Sequence, residues 1–260
     1  MDIREKLLAL SMYCDGDYEK MIKMIERKEI VSESYALANK ANYITLLDEM
    51  FPKVFKHIHK PPILLYYYGN ISLLDGNKRL SVIGTREPNK YQIDMTKKIV
   101  GEVLDKCNNK ITIVSGMARG IDQVAMLEAM KRNAGVISII ASGIDNPYPE
   151  DNNGIYEYCK SGNGLVLSEH PLNYVAKKED FLFRNRLLAS ACKSLLITGA
   201  KIKSGTSSTV RYALDYGKDI LSVPCNVSCD GDDLTNSLIQ EGAKSILSSN
   251  DVIESLSYDF

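Results

Sequence analysis

"ITIVSGMARGID", residues 111–122, reads as a strand that runs into a glycine turn and opens a helix. Its first four residues are all β-branched, and none interrupts the run with a charge, as expected of a strand buried on both faces. Gly116 and Gly120 then bracket Arg119, and Asp122 closes the stretch. Glycine allows positive φ and close backbone approach, so this turn is built to hold something near its main chain. Residues 120–133 follow with helical spacing.

Outward from this unit the pattern repeats. Short apolar runs occur at "ILLYYYG", "LSVIG", "VISIIAS", "GLVLSE", "SLLIT" and "ILSVP". None alternates apolar with polar residues, so these too read as strands of a mostly parallel sheet. Helical spacing fills residues 89–107, 184–192 and 206–217 between them. Strand–helix alternation implies right-handed crossovers and a doubly wound α/β sheet. Residues 1–60 differ: Leu7, Leu8, Met21, Met24 and Ile25 recur at three- and four-residue spacing, and Pro61 and Pro62 end the stretch. The expectation is a small helical N-terminal domain over 1–60 and a sheet domain over 61–260.

Composition narrows the function classes. The 260 residues carry 32 bases and 33 acids, and residues 1–60 hold ten of each, so there is no basic tail or basic domain. Any binding of nucleic acid must rest on a local cluster. No apolar run approaches the roughly 20 residues that span a bilayer. The N-terminus lacks the pattern of a signal peptide, so a cytoplasmic protein without a membrane role is expected. Of six cysteines only Cys225 and Cys229 are close. One such pair points to reduced thiols rather than to a metal site, and neither metal nor cofactor is expected.

Ligands of doubly wound sheets bind outside the carboxyl ends of the strands. There the sequence places Gly84, Thr85 and Arg86; Ser115, Gly116, Arg119, Gly120 and Asp122; Ser142, Gly143 and Asp145; and Lys201, Lys203, Ser204, Gly205 and Thr206. Backbone N–H groups at helix starts attract phosphate, hydroxyls add donors, and arginine offers a planar fork for anionic oxygens. A phosphate-rich ligand follows. "KKEDFLFRNR" adds Lys177, Lys178, Arg184 and Arg186, interleaved with Phe181 and Phe183, a mixture suited to a single nucleic-acid strand. Neither a G-x-G-x-x-G turn nor a phosphate-binding G-x-x-x-x-G-K-[ST] loop is present, which argues against hydride transfer and ATPase chemistry. His57, His59 and His170 stand beside no evident nucleophile, and Glu169 and Asp145 near strand ends suit acid–base work or helix capping.

"YYYGN", "SVIGTR", "SGMARGID", "SGIDNPYPEDN", "LSEHP", "FLFRNRLLAS", "SGT" and "NSLIQEGA" follow one another in an order that resembles the DNA-processing protein A family (DprA, also called Smf). The resemblance spans roughly residues 61–247. It implies an extended Rossmann-type domain that binds single-stranded DNA, dimerises and loads the RecA recombinase in natural transformation, without catalysis. By the same resemblance the DNA pocket takes in Gly84, Thr85, Arg86, Ser115, Gly116, Arg119, Gly120, Phe181, Arg184, Asn185 and Arg186, with Lys203, Gly205 and Thr206 alongside. Arg86 and Arg184 are the expected phosphate contacts, Asp122 the residue that orders the loop, and the "LTNSLIQEGA" helix the dimer surface. The chain departs from the family at Leu182, where a proline is usual, at Cys225, where a glycine is usual, and in the acidic stretch 226–234. A different reading of the same sheet is a nucleotide-binding enzyme or sensor similar to nucleoside-monophosphate phosphoribohydrolases. Those enzymes carry a glutamate after "GT", and here that place holds Thr209.

Overall fold

All seven apolar runs form strands of one nine-stranded sheet, in a computed structural model that describes residues 2–75, 78–227 and 233–257. In chain order the elements are α1 (Ile3–Tyr13), α2 (Tyr18–Glu26), β1 (Asn42–Thr45), α3 (Lys53–Lys56), β2 (Leu64–Gly69), β3 (Lys78–Ile83), α4 (Lys90–Lys106), β4 (Ile111–Ser115), α5 (Ile121–Lys131) and β5 (Val136–Ile139). Then come α6 (Asn153–Tyr158), β6 (Gly164–Ser168), α7 (Lys178–Ser190), β7 (Ser194–Ile197), α8 (Gly205–Asp215), β8 (Asp219–Ser222), α9 (Asp233–Gln240), β9 (Lys244–Ser245) and α10 (Ser249–Ser257).

The strand order is β1-β2-β6-β5-β4-β3-β7-β8-β9. From β6 to β9 every pairing is parallel, with Leu80 opposite Ile113 across β3–β4 and Val82 opposite Leu196 across β3–β7. The sequence order reverses beside β3. Its following helix, α4, packs on one face, and α8, which follows β7, packs on the other. That reversal opens a crevice at the carboxyl ends of β3 and β7, the switch point where such sheets take their ligands.

Both faces are covered, which is why the strand sequences do not alternate. Ile113 faces the layer that holds Val100, Val103 and Met126, while Val114 faces the layer that holds Leu187, Leu188 and Val210. Each such side chain, buried completely, contributes roughly 1.5–3 kcal/mol. Asn89 fixes the start of α4: its side chain accepts from the Gln92 N–H at 3.0 Å, while Gln92 Oε1 accepts from the Asn89 N–H at 2.9 Å.

Some elements differ from expectation. Residues 1–60 hold α1, α2 and α3 but also β1, which pairs antiparallel with β2 and so joins the sheet edge. Four residues are too few to show a period. β2 itself runs antiparallel to β6, although its apolar run looks like those of the parallel strands, because it too is covered on both faces. α7 begins at Lys178, six residues before the helical spacing does, since "KEDFLF" opens it with charges and two phenylalanines two positions apart. Asp180 stabilises that start by accepting from the Lys177 N–H at 2.7 Å and the Tyr174 hydroxyl at 2.9 Å. Among the described residues no helix is long and apolar enough to cross a membrane.

Candidate functional site

The turn after β4 and the turn after β3 are pressed together, backbone on backbone. The Thr85 N–H donates to the Gly199 carbonyl at 2.8 Å, and the Ile121 N–H donates to the Thr85 carbonyl at 3.1 Å. Gly120 sits between them at φ 81°, where a Cβ would lie 2.3 Å from the Thr85 carbonyl oxygen and 2.8 Å from Arg86 Cα. A side chain fits neither the torsion nor the space. The turn that follows β3 is thereby held in place, with Arg86 projecting outward from it.

Gly116 has a different reason. A Cβ there would stand 2.7–2.9 Å from the Arg184 guanidinium, so the glycine makes room for a buried cation. Arg184, only 6% exposed, donates through Nη1 to the Gly116 carbonyl at 3.0 Å and to the Ile139 carbonyl, and through Nε to Asn185 Oδ1 at 3.3 Å. Burial pushes its pKa down to about 10, against the opposing pull of the Asp122 carboxylate. Asp122 is buried as well and accepts from the N–H groups of Gly116 at 3.0 Å and Ala118 at 3.4 Å. It orders the turn, as its position implies.

Burial raises the Asp122 pKa, with Arg184 and the two N–H donors acting in the opposite direction. In the pH window between the ordinary aspartate value and this raised one, the folded chain holds a proton that the unfolded chain has lost. The stability owed to the neutral acid is therefore present at low pH and lost as pH rises through the raised value. Measured by denaturant unfolding at a series of pH values, wild type is expected to lose stability relative to Asp122→Asn across that window as pH rises. A constant difference would contradict the buried assignment.

Above this floor lies a cleft of about 940 Å³. The Arg86 guanidinium carbon stands 5.5 Å from the Phe181 ring centroid, and Tyr148 meets the same ring edge-on at 6.1 Å. Opposite, α8 presents its amino end with Ser204, Gly205 and Thr206. Asn185 ties α7 to that end: its Nδ2 donates to Ser208 Oγ at 2.9 Å and to the Gly205 carbonyl at 3.2 Å. Lys178 and Lys201 add cations to the rim. A cation stacked on an aromatic ring, two lysines and a helix amino end together suit a phosphate chain with a stacked base.

Known proteins resemble the chain over most of its length. The family model for DNA recombination-mediator protein A matches residues 42–257. This chain belongs to that family. It is 34% identical over 209 residues to the DNA processing protein DprA of Streptococcus pneumoniae, covering 80% of this chain and 72% of the relative. The Bacillus subtilis DprA is 30% identical over 215 residues, 83% of this chain and 71% of the relative. The X-ray structure of the Streptococcus pneumoniae protein superposes with a TM-score of 0.81 at 29% identity, covering 98% of this chain and 92% of that one. DNA processing protein A from Helicobacter pylori, described for a unique single-stranded DNA binding mode, gives 0.72 at 33% identity over 84% and 96%.

Within this recombination-mediator family member, the cleft gathers Gly84, Thr85, Arg86, Phe181, Arg184, Asn185, Gly205 and Thr206 from the expected set. Gly116 and Gly120 lie directly behind it and shape it. Ser115 and Arg186 lie outside the cleft lining. Ser115 is fully buried and its Oγ donates to the Val82 carbonyl at 2.6 Å, a tie between β4 and β3. Arg186 is fully buried on the opposite side of α7. It forms a two-pronged pair with Glu169 at 2.6 and 2.7 Å, and its guanidinium lies 3.7 Å from the Phe183 ring centroid. Alternate helical positions point apart, so "RNR" sends its two arginines to different places.

Arg119 and Lys203 are exposed outside the cleft lining, and Arg119 pairs with Asp151 at 2.7 Å. Glu169 is bound to Arg186, and Asp145 accepts from the Tyr68 hydroxyl at 2.7 Å. Ser142, Asn146, Tyr148 and Lys178 line the cleft as well; the sequence singles out Ser142 at a strand end and Lys178 in the basic stretch, but not Asn146 and Tyr148. The stretch "SGIDNPYPEDN" carries the first three, and the turn after β5 is where a strand-end rule points. The leucines of α9, Leu234 and Leu238, face the chain's own core rather than solvent. Cys229 lies outside the described residues, as does most of the acidic stretch 226–234.

Proposed function

We propose that this chain binds single-stranded DNA along the cleft at the β3–β7 switch point and serves DNA recombination without catalysing a reaction. In this reading it works as a homodimer with the RecA recombinase, in natural transformation or a related DNA transaction, as the family resemblance implies. The observation that carries the reading is the Arg86–Phe181 stack at the cleft wall, facing the amino end of α8. Lys178, Lys201 and Arg86 meet backbone phosphates, and the Phe181 and Tyr148 rings accept a base on their faces. The two carboxylates in the lining argue for binding over turnover. Glu87 is exposed, and Asp122 is committed to the turn behind the floor. Thr209 stands where a phosphoribohydrolase would need its glutamate; it is buried and carries no acid.

Titration of the purified chain with a labelled single-stranded oligonucleotide, in the presence of unlabelled duplex competitor, tests this. The expected result is binding that excess duplex does not displace. Equal displacement by duplex, or release of free base from nucleoside monophosphates, would overturn it.

A further inference from the structure

Away from the cleft, the N-terminal helices carry a second set of rings paired with cations. Tyr13, at the end of α1, and Tyr35, in the 3-10 helix Glu33–Ala38, meet edge to face at 5.2 Å, and each is 42% exposed. Lys20 Nζ stands 5.2 Å from the centroid of the Tyr13 ring. Nearer the sheet, Tyr18 at the start of α2 lies 5.9 Å from Phe183 of α7, and Lys60 Nζ stands 6.0 Å from both centroids.

This second set connects to the cleft through α7. Phe181 faces the cleft and Phe183, two positions on, faces α2. The first turn of α7 is the crest between them, and there Lys177, Lys178 and Leu182 are exposed. The seam is rigid. His170 Nδ1 donates to the Asp15 carbonyl at 2.6 Å and its ring stacks on Tyr174 at 4.3 Å, which fixes the α1–α2 hairpin against the segment leading into α7. Rings and cations therefore recur from Arg86 and Phe181, over the crest, to Tyr18 and Lys60, and on to Tyr13, Lys20 and Tyr35.

We infer that single-stranded DNA leaving the cleft crosses the first turn of α7 and stacks on the Tyr13–Tyr35 platform of the N-terminal helices. This rests on the cleft being a single-strand site. The chemistry favours a nucleic-acid strand because every ring on the path has a cation or a second ring beside it, and bases of any sequence can stack there. Charge contributes little at the far end. Lys20 and Lys60 are offset by Asp15, Asp17 and Glu19, and Glu19 is paired with Lys60. The platform thus lengthens the footprint by stacking and leaves the salt dependence to the cleft.

Two labelled oligothymidylates separate these contributions: one of about 4 nucleotides, at the lower limit of a single-strand site, and one of about 20, longer than the usual upper limit. Wild type is expected to bind the long one more tightly. Tyr13→Ala/Tyr35→Ala should weaken the long one about tenfold, the equivalent of one lost stacked base, and leave the short one unchanged. Tyr13→Phe/Tyr35→Phe keeps the rings and should match wild type. Tyr35→Ala alone, at a half-exposed position outside the long helices, checks that the loss does not come from misfolding. Unchanged affinity of the alanine variants for the long oligonucleotide, or an equal loss with both lengths, overturns the platform. Equal wild-type affinity for both lengths overturns it too, while leaving the cleft reading intact. Failure of wild type to bind either one overturns the cleft reading instead.

Discussion

Glu169→Ala is expected to destabilise the fold by about 3–5 kcal/mol, the usual cost of stranding one partner of a buried ion pair. Arg186 is fully buried, and Glu169 is 8% exposed and meets it with both carboxylate oxygens. Once the carboxylate is gone, the guanidinium keeps the Lys60 carbonyl at 3.0 Å, the Phe183 carbonyl at 3.0 Å and the Phe183 ring, none of which neutralises it. Because the pair joins the end of β6 to α7 and to residue 60, its loss loosens the seam between the N-terminal helices and the sheet. The double change Glu169→Leu/Arg186→Met removes both charges and is expected to recover most of the loss, since apolar replacements of buried pairs are often neutral. Equilibrium unfolding in denaturant measures both variants. A midpoint unchanged in Glu169→Ala would contradict the buried pairing.

Gly120→Ala is expected to act on the site directly. The residue sits at φ 81° and ψ −127°, a conformation that costs an L-residue about 1–3 kcal/mol. The added Cβ would also lie 2.3 Å from the Thr85 carbonyl oxygen and 2.8 Å from two Arg86 backbone atoms. Backbone cannot yield as a flexible side chain does, so the turn carrying Arg86 must move. The expected outcome is lower stability together with at least about a tenfold loss of affinity for a single-stranded oligonucleotide, near 1.4 kcal/mol. Gly154→Ala in α6 is the matched control, because nothing lies within 4 Å of its Cβ position and it stands outside the cleft lining. Binding preserved in Gly120→Ala would mean that the turn does not place Arg86.

Much of this architecture is legible in the residues. The seven apolar runs are strands because both faces of each are covered, and the helices that cover them have enough turns to show their spacing. What escapes are elements too short to have a period, β1 and β9, and the direction of β2, which depends on pairing partners distant in sequence. The site divides in the same way. A glycine beside a base at a strand end is visible in the sequence, and Arg86, Gly116 and Gly120 are where that rule puts them. Whether an arginine is free or already paired is not visible, because it depends on which face of a helix it occupies. Arg184 and Arg186 look equivalent in "RNR", yet one is bonded to the Gly116 and Ile139 carbonyls on the cleft floor and the other to Glu169 on the far side of α7. Tyr148 went unnoticed because an exposed tyrosine in a loop has no pattern until Phe181 stands next to it.

The most direct measurement is the affinity of wild type and Arg86→Ala for one single-stranded oligonucleotide across a salt series. Each phosphate neutralised on a single strand contributes about 0.7 to the slope of log K against log salt. Arg86→Ala is expected to bind more weakly at every salt concentration and to show a slope shallower by about 0.7, the signature of one lost phosphate contact. Identical slopes and affinities for the two proteins, or no binding by wild type at low salt, would contradict a DNA cleft at the β3–β7 switch point.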